Sequence, residues 1–142
     1  MLTEDARNFS WLLETFVGET AGVTDAMAVS SDGVLIARSE TLEGEDSELL
    51  CAIIAGTAGM ATAASGHLAA GGLERVVITM ERGFLFVSAI ADGSCLGVVA
   101  TRECDVGSIG YQTSDLVNRV GQLLTPALRA ELTHRSSRQN GS

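Results

Sequence analysis

The stretch from residue 73 to 101, LERVVITMERGFLFVSAIADGSCLGVVAT, decides the fold. Two polar breaks, Glu81-Arg82-Gly83 and Asp92-Gly93-Ser94, divide it into three apolar runs at 73–80, 84–91 and 95–101. Three-residue breaks that contain glycine are hairpin connections, so the runs read as three consecutive antiparallel strands. They are apolar at nearly every position rather than every second one, which predicts a sheet covered on both faces. Glu74 and Arg75 open the first of these strands, as a polar edge would.

Toward the N-terminus, VTDAMAVS (23–30) and VLIARS (34–39) flank Ser31-Asp32-Gly33, a second hairpin signature. Before them, segment 4–18 spaces Phe9, Leu12, Leu13, Phe16 and Val17 at helical intervals, with Thr3 as its N-cap and Gly18 near its end. TLEGEDSE (41–48) is an acidic loop. Residues 49–73, LLCAIIAGTAGMATAASGHLAAGGL, carry no formal charge and are long enough to cross a bilayer. Their large apolar residues are few, however, and Ala, Gly, Ser and Thr make up most of the rest. The expectation is a long buried helix, closed by Gly71-Gly72 and not inserted in a membrane.

On the other side, 106–124 places Ile109, Leu116, Val117, Val120, Leu123 and Leu124 on one stripe. Thr125-Pro126 then opens a short helix at 127–132. Residues 1–133 are expected to form one domain, with 134–142 as a disordered polar tail. The fold class is α+β, an α/β sandwich. Its order is helix-strand-strand-helix-strand-strand-strand-helix, with one five-stranded antiparallel sheet. The central helix covers one face, and the first and last helices cover the other.

The 142 residues suffice for one such core without disulfides or metal. All nine basic residues are arginine, so phosphate-loop and Schiff-base lysines are excluded. The net charge of −9 resides wholly in residues 1–48. Nucleic-acid partners are not expected, because phosphate binding needs clustered positive charge. An odd number of cysteines (Cys51, Cys95, Cys104) and a charged N-terminus point to a reducing, cytoplasmic setting.

The residues of catalysis are sparse. No GxSxG, HExxH or GxGxxG motif is present, so no catalytic residue, cofactor or metal is expected. His67 reads as a helix-end residue, and His134 lies in the tail. Cys51 and Cys95 read as core residues, and acids beside Cys104 raise its thiol pKa. Gly56, Gly59, Gly107 and Gly110 read as packing contacts, Arg82 as an exposed hairpin tip, and Arg102 as the pair of Glu103 or Asp105. Glu43, Glu45, Asp46 and Glu48 fit no calcium loop.

MAVSSDGVLIARS (27–39), VVITMERGFLFVSAIADGSCLGVVA (76–100) and DVGSIGYQTSDLVNRV (105–120) together resemble the roadblock/LC7 family, over roughly residues 9–124. The Ala-rich central helix resembles the bacterial branch, whose members are often encoded beside a small Ras-like GTPase and a sensor kinase in operons called conservons. The gliding-motility GTPase regulator is a similar protein.

The resemblance implies a profilin-like domain and a homodimer, in which the third strand pairs with its copy and the central helices pack side by side. On this chain the interface would comprise Ala52, Gly56, Met60 and Ala63 with Val76, Val77, Ile78, Thr79 and Met80. It also implies a non-enzymatic regulator or scaffold that binds a Ras-like GTPase, within a sensor-kinase complex or recruited to a membrane by its partners. The acids Glu43, Glu45, Asp46 and Glu48 are candidate partner contacts. An alternative stays open: a small-ligand sensor with a PAS-like layout, its cavity made by Gly56, Gly59 and Gly97.

Overall fold

The computed structural model describes residues 4–39, 45–128 and 130–133. Thr3, Glu43 and the tail 134–142 lie outside them, with the expectations attached to each. The chain runs α1 (Glu4–Glu19), β1 (Val23–Val29), β2 (Leu35–Arg38), α2 (Glu45–His67), β3 (Arg75–Met80), β4 (Gly83–Ala89), β5 (Cys95–Thr101) and α3 (Val106–Leu123).

The five strands form one antiparallel sheet in the order β2-β1-β5-β4-β3. The hairpins close as their glycines allow, with φ of +87° at Gly33 and +92° at Gly93. Asp92 accepts from the Ser94 amide at 3.0 Å, fixing the turn before β5. Because β1 pairs with β5, β3 is left at the far edge with β4 as its neighbour.

The two faces of the sheet are filled differently. Phe9, Leu13 and Phe16 of α1 and Ile109, Leu116 and Val120 of α3 pack with Phe84, Phe86, Leu96 and Val98 of the sheet. All four phenylalanines of the chain lie in this layer. The opposite layer joins Met27, Val29, Leu35, Leu85, Val87 and Cys95 of the strands to Cys51 and Ile54 of α2.

The long helix departs from the sequence expectation twice. It begins at Glu45, inside the stretch expected to be loop. It is also not buried. Ser47, Cys51 and Ile54 face the sheet, while Leu49, Ile53 and Met60 are exposed. Apolar composition on every side could not reveal which side the chain itself covers. The helix would satisfy the length and hydropathy of a bilayer span over Ser47–His67, yet it lies along the sheet.

Its end also differs. The Ala69 amide bonds to the Gly66 carbonyl at 3.1 Å and the Ala70 amide to the Ser65 carbonyl at 3.0 Å, the paired bonds of a Schellman cap. The left-handed residue of the cap is therefore Ala69, at φ +52°, and Gly71, also left-handed at φ +87°, lies two residues beyond it. A Cβ there is strained by about 1 kcal/mol relative to glycine.

At the other end of the chain, Asp105 caps α3 by accepting from the Ser108 amide at 3.2 Å. Thr125 accepts from the Leu128 amide at 3.1 Å and Pro126 follows, so a short helical segment starts as expected. Leu124, Leu128 and Leu132 close the α1/α3 layer.

Candidate interaction surface

Strand β3 alternates between two environments. Val76 and Ile78 lean on the α2 layer, and Ile78 sits opposite Leu85. Val77, opposite Phe86, projects from the other face and is 39% exposed. Thr79 and Met80 are exposed as well. Arg75 reaches across to α3 and donates to the Gly110 carbonyl at 3.1 Å. A Cβ on Gly110 would stand 3.2 Å from that guanidinium, so the expected packing contact at Gly110 is made with an arginine.

The nine positions assigned to a dimer interface divide between the outer side of α2 and the edge strand β3. Ala52, Gly56, Met60 and Ala63 are all exposed on α2, and Met60 is 74% exposed. Val76 to Met80 form the bare edge of the sheet. Val76 and Ile78 are already half-buried in their own chain, so their contribution outward is their backbone. The sequence reading missed Leu49 and Ile53, exposed at 66% and 44%.

Of the acids, Glu45 and Asp46 belong to the first turn of α2, not to a loop, and Glu48 is exposed in the next. Acidic residues at a helix N-terminus complement the positive end of its dipole. Glu43 precedes the described helix.

The glycines sort into separate roles. Gly97 is the floor on which Ile54 of α2 rests, so it is filled rather than cavity-forming. Gly56 and Gly59 have open space around them, the reverse of the expected intrachain packing. A wedge of about 300 Å³ lies between the second half of α2 and the β4–β5 turn, lined by Ala55, Ala58, Thr62, Ile90 and Cys95 and open to solvent.

Burial pushes the Cys51 and Cys95 thiols up to about 11, so both stay protonated at neutral pH and act as apolar side chains. The Cys104 thiol is also raised, first by burial and then by the Asp105 charge. His67 is exposed in the last turn of α2, and Arg82 is exposed at its hairpin tip. Arg102, expected to pair with Glu103 or Asp105, instead lies over the Phe84 ring at 5.1 Å. The cation and the ring face meet across the sheet end, a contact no local spacing could announce.

A single antiparallel sheet in this strand order, with α1 and α3 on one face and α2 on the other, is a profilin-like α+β domain. Acanthamoeba castellanii profilin IA superposes with a TM-score of 0.53 at 16% identity, covering 80% of this chain and 97% of that one. The Roadblock/LC7 domain model matches residues 9–100, and the chain belongs to that family. A roadblock/LC7 domain from Streptomyces avermitilis is 28% identical, with a TM-score of 0.73, covering 78% of this chain and 92% of that one. The gliding protein mglB from Thermus thermophilus is 20% identical, with a TM-score of 0.72, covering 87% and 96%. No curated protein matches the chain significantly by sequence.

Proposed function

We propose that the chain is a homodimeric regulator or scaffold that binds a small Ras-like GTPase and modulates its nucleotide cycle without contributing a catalytic group. One observation carries the reading: α2 is apolar all round, yet its own sheet covers only the side bearing Cys51 and Ile54. An apolar helix left half bare beside an open sheet edge is half of an interface. A two-fold axis through that region would pair β3 with its copy and bring the two α2 helices together. The small residues Ala52, Gly56 and Ala63 suit close approach of two helices.

Membership of the roadblock family supports a GTPase as the partner. Its docking surface would be the paired α2 helices with Glu45, Asp46 and Glu48 at their acidic ends. The chain would act by reshaping the GTPase's own switch segments, in a cytoplasmic setting and within a larger signalling complex. The ligand-sensor reading is the weaker one. Ile54 fills the space over Gly97, and the wedge beneath α2 is open to solvent.

The test is direct. Light scattering across a dilution series measures the oligomer, and calorimetry with the GTPase encoded nearest this chain measures binding in its GDP and GTP-analogue states. A dimer that binds at least one nucleotide state and changes the turnover rate supports the proposal. A monomer, or a dimer silent toward both states, overturns it.

A further inference from the structure

The chain's six aromatic residues divide sharply. The four phenylalanines are buried in the α1/α3 layer, whereas the single tryptophan and single tyrosine are exposed, Trp11 at 61% and Tyr111 at 80%. Trp11 is off the stripe that buries Phe9, Leu13 and Phe16, and Tyr111 faces away from the stripe of Ile109, Leu116 and Val120. Both nevertheless line one groove of about 500 Å³ between α1 and α3, floored by Leu12, Phe16 and Leu116. The Thr20 hydroxyl and the Gln112 side chain, 3.1 Å apart, tie the two helices at one end. This groove lies on the sheet face opposite α2.

Its charge is predominantly negative. Glu19 and Asp115 line it against one base, Arg119, which stands 3.8 Å from Asp115 in an i,i+4 pair. Glu19, Thr20 and Gln112 also belong to an adjoining cleft, which adds Glu103 and Asp105 and no basic side chain. An occupant thus meets an aromatic section and then a carboxylate section. Large exposed aromatics over an apolar floor are the usual anchors of a protein interface. A trough between two helices accepts a third helix, presented by its apolar i, i+3/i+4, i+7 face.

We infer that the Trp11/Tyr111 groove is a second docking surface, whose occupant is a basic amphipathic helix of another protein. The aliphatic face of that helix packs against Trp11, Tyr111 and Leu116, and its arginines or lysines meet Glu19, Glu103 and Asp105. The surface is independent of the α2 face, so a dimer would present two such grooves while its α2 face is engaged elsewhere.

Trp11, as the sole tryptophan, makes the test specific. A displayed library of 16-residue helical peptides is panned against the full chain, and the enriched peptides are titrated while Trp11 emission is followed. The expected result is enrichment of sequences with net positive charge and helically spaced aliphatic residues. These would give a saturable blue shift of Trp11 emission and weaken as salt rises. Tyr111→Ala and Glu19→Arg should each weaken binding roughly tenfold or more, and neither exposed change should alter the melting temperature.

Several results would overturn the inference. Enriched peptides could be neutral or acidic, or they could leave Trp11 emission unmoved or bind the Tyr111→Ala variant equally well. A loss of self-association in Tyr111→Ala would assign the groove to a second copy. A shift of Trp11 emission on removing residues 134–142 would assign it to the chain's own end.

Discussion

The two faces of the sheet answer to different logics. The α1/α3 face is sealed by large side chains from three helical segments, with every phenylalanine of the chain inside it. The α2 face is thin. One helix touches it, through Cys51 and Ile54, and turns Leu49, Ile53 and Met60 outward. A face complete within the chain is built from large, well-separated apolar residues. The helix on the other face is built mostly from small residues, with its large ones divided between the sheet and the outside. The comparison teaches that uniform apolarity in a helix does not mark burial within its own chain; on the proposed reading it serves a core shared with a second copy.

Ways to break this contrast can be ranked. Ile54→Ala removes the larger of the two α2 anchors, and it should cost about 2–5 kcal/mol of stability in urea unfolding. Amide exchange in α2 should accelerate well before that in α3. By contrast, Trp11→Ala on the sealed face should cost under about 0.5 kcal/mol, because that ring is exposed. Equal losses would show that Ile54 anchors α2 no better than an exposed ring anchors α1.

The outward side of α2 is tested next. Met60→Glu places a charge where the proposed dimer buries its most exposed methionine. Dimer dissociation should rise by about 100-fold, or roughly 2.7 kcal/mol, when followed by light scattering on dilution. The melting temperature of the separated chain should barely move. An unchanged dissociation constant would remove α2 from the interface.

Two smaller changes sharpen the picture. The Thr113 hydroxyl is fully buried in α3 and has no hydrogen-bond partner among the described residues. Thr113→Val should therefore stabilise the sealed face by about 1 kcal/mol in denaturant titration. Ala69→Gly should relieve the left-handed cap of α2 and gain about 0.5–1 kcal/mol by the same measurement. A loss in the second case would mean that the Schellman cap does not persist in solution.

Much of this arrangement was legible in the residues. Asp-Gly dipeptides and apolar runs located all five strands, because turn chemistry and strand length are local properties. The stripes of α1 and α3 were legible for the same reason. What escaped was non-local. The exposure of Leu49, Ile53 and Met60 depends on where the sheet ends, and the cap at Ala69 breaks the preference for glycine. The residues assigned to a dimer interface came from the family resemblance, with which the small-residue spacing of α2 and the apolar edge strand agree. Trp11 and Tyr111 were passed over because each lies outside a periodic stripe, although their rarity was a signal in itself.

The contact between Arg75 and Gly110 has one more consequence. The guanidinium fills the space beside Gly110 that any larger residue would need, while its hydrogen bond ends on that same backbone carbonyl. A glycine within a helix costs about 1 kcal/mol relative to alanine, so position 110 has reason to be glycine only while the arginine is there. The two positions, far apart in the chain, are thereby coupled in energy. An alanine at 110 would have to displace the guanidinium by a few tenths of an ångström, and with the arginine removed that displacement would no longer be needed.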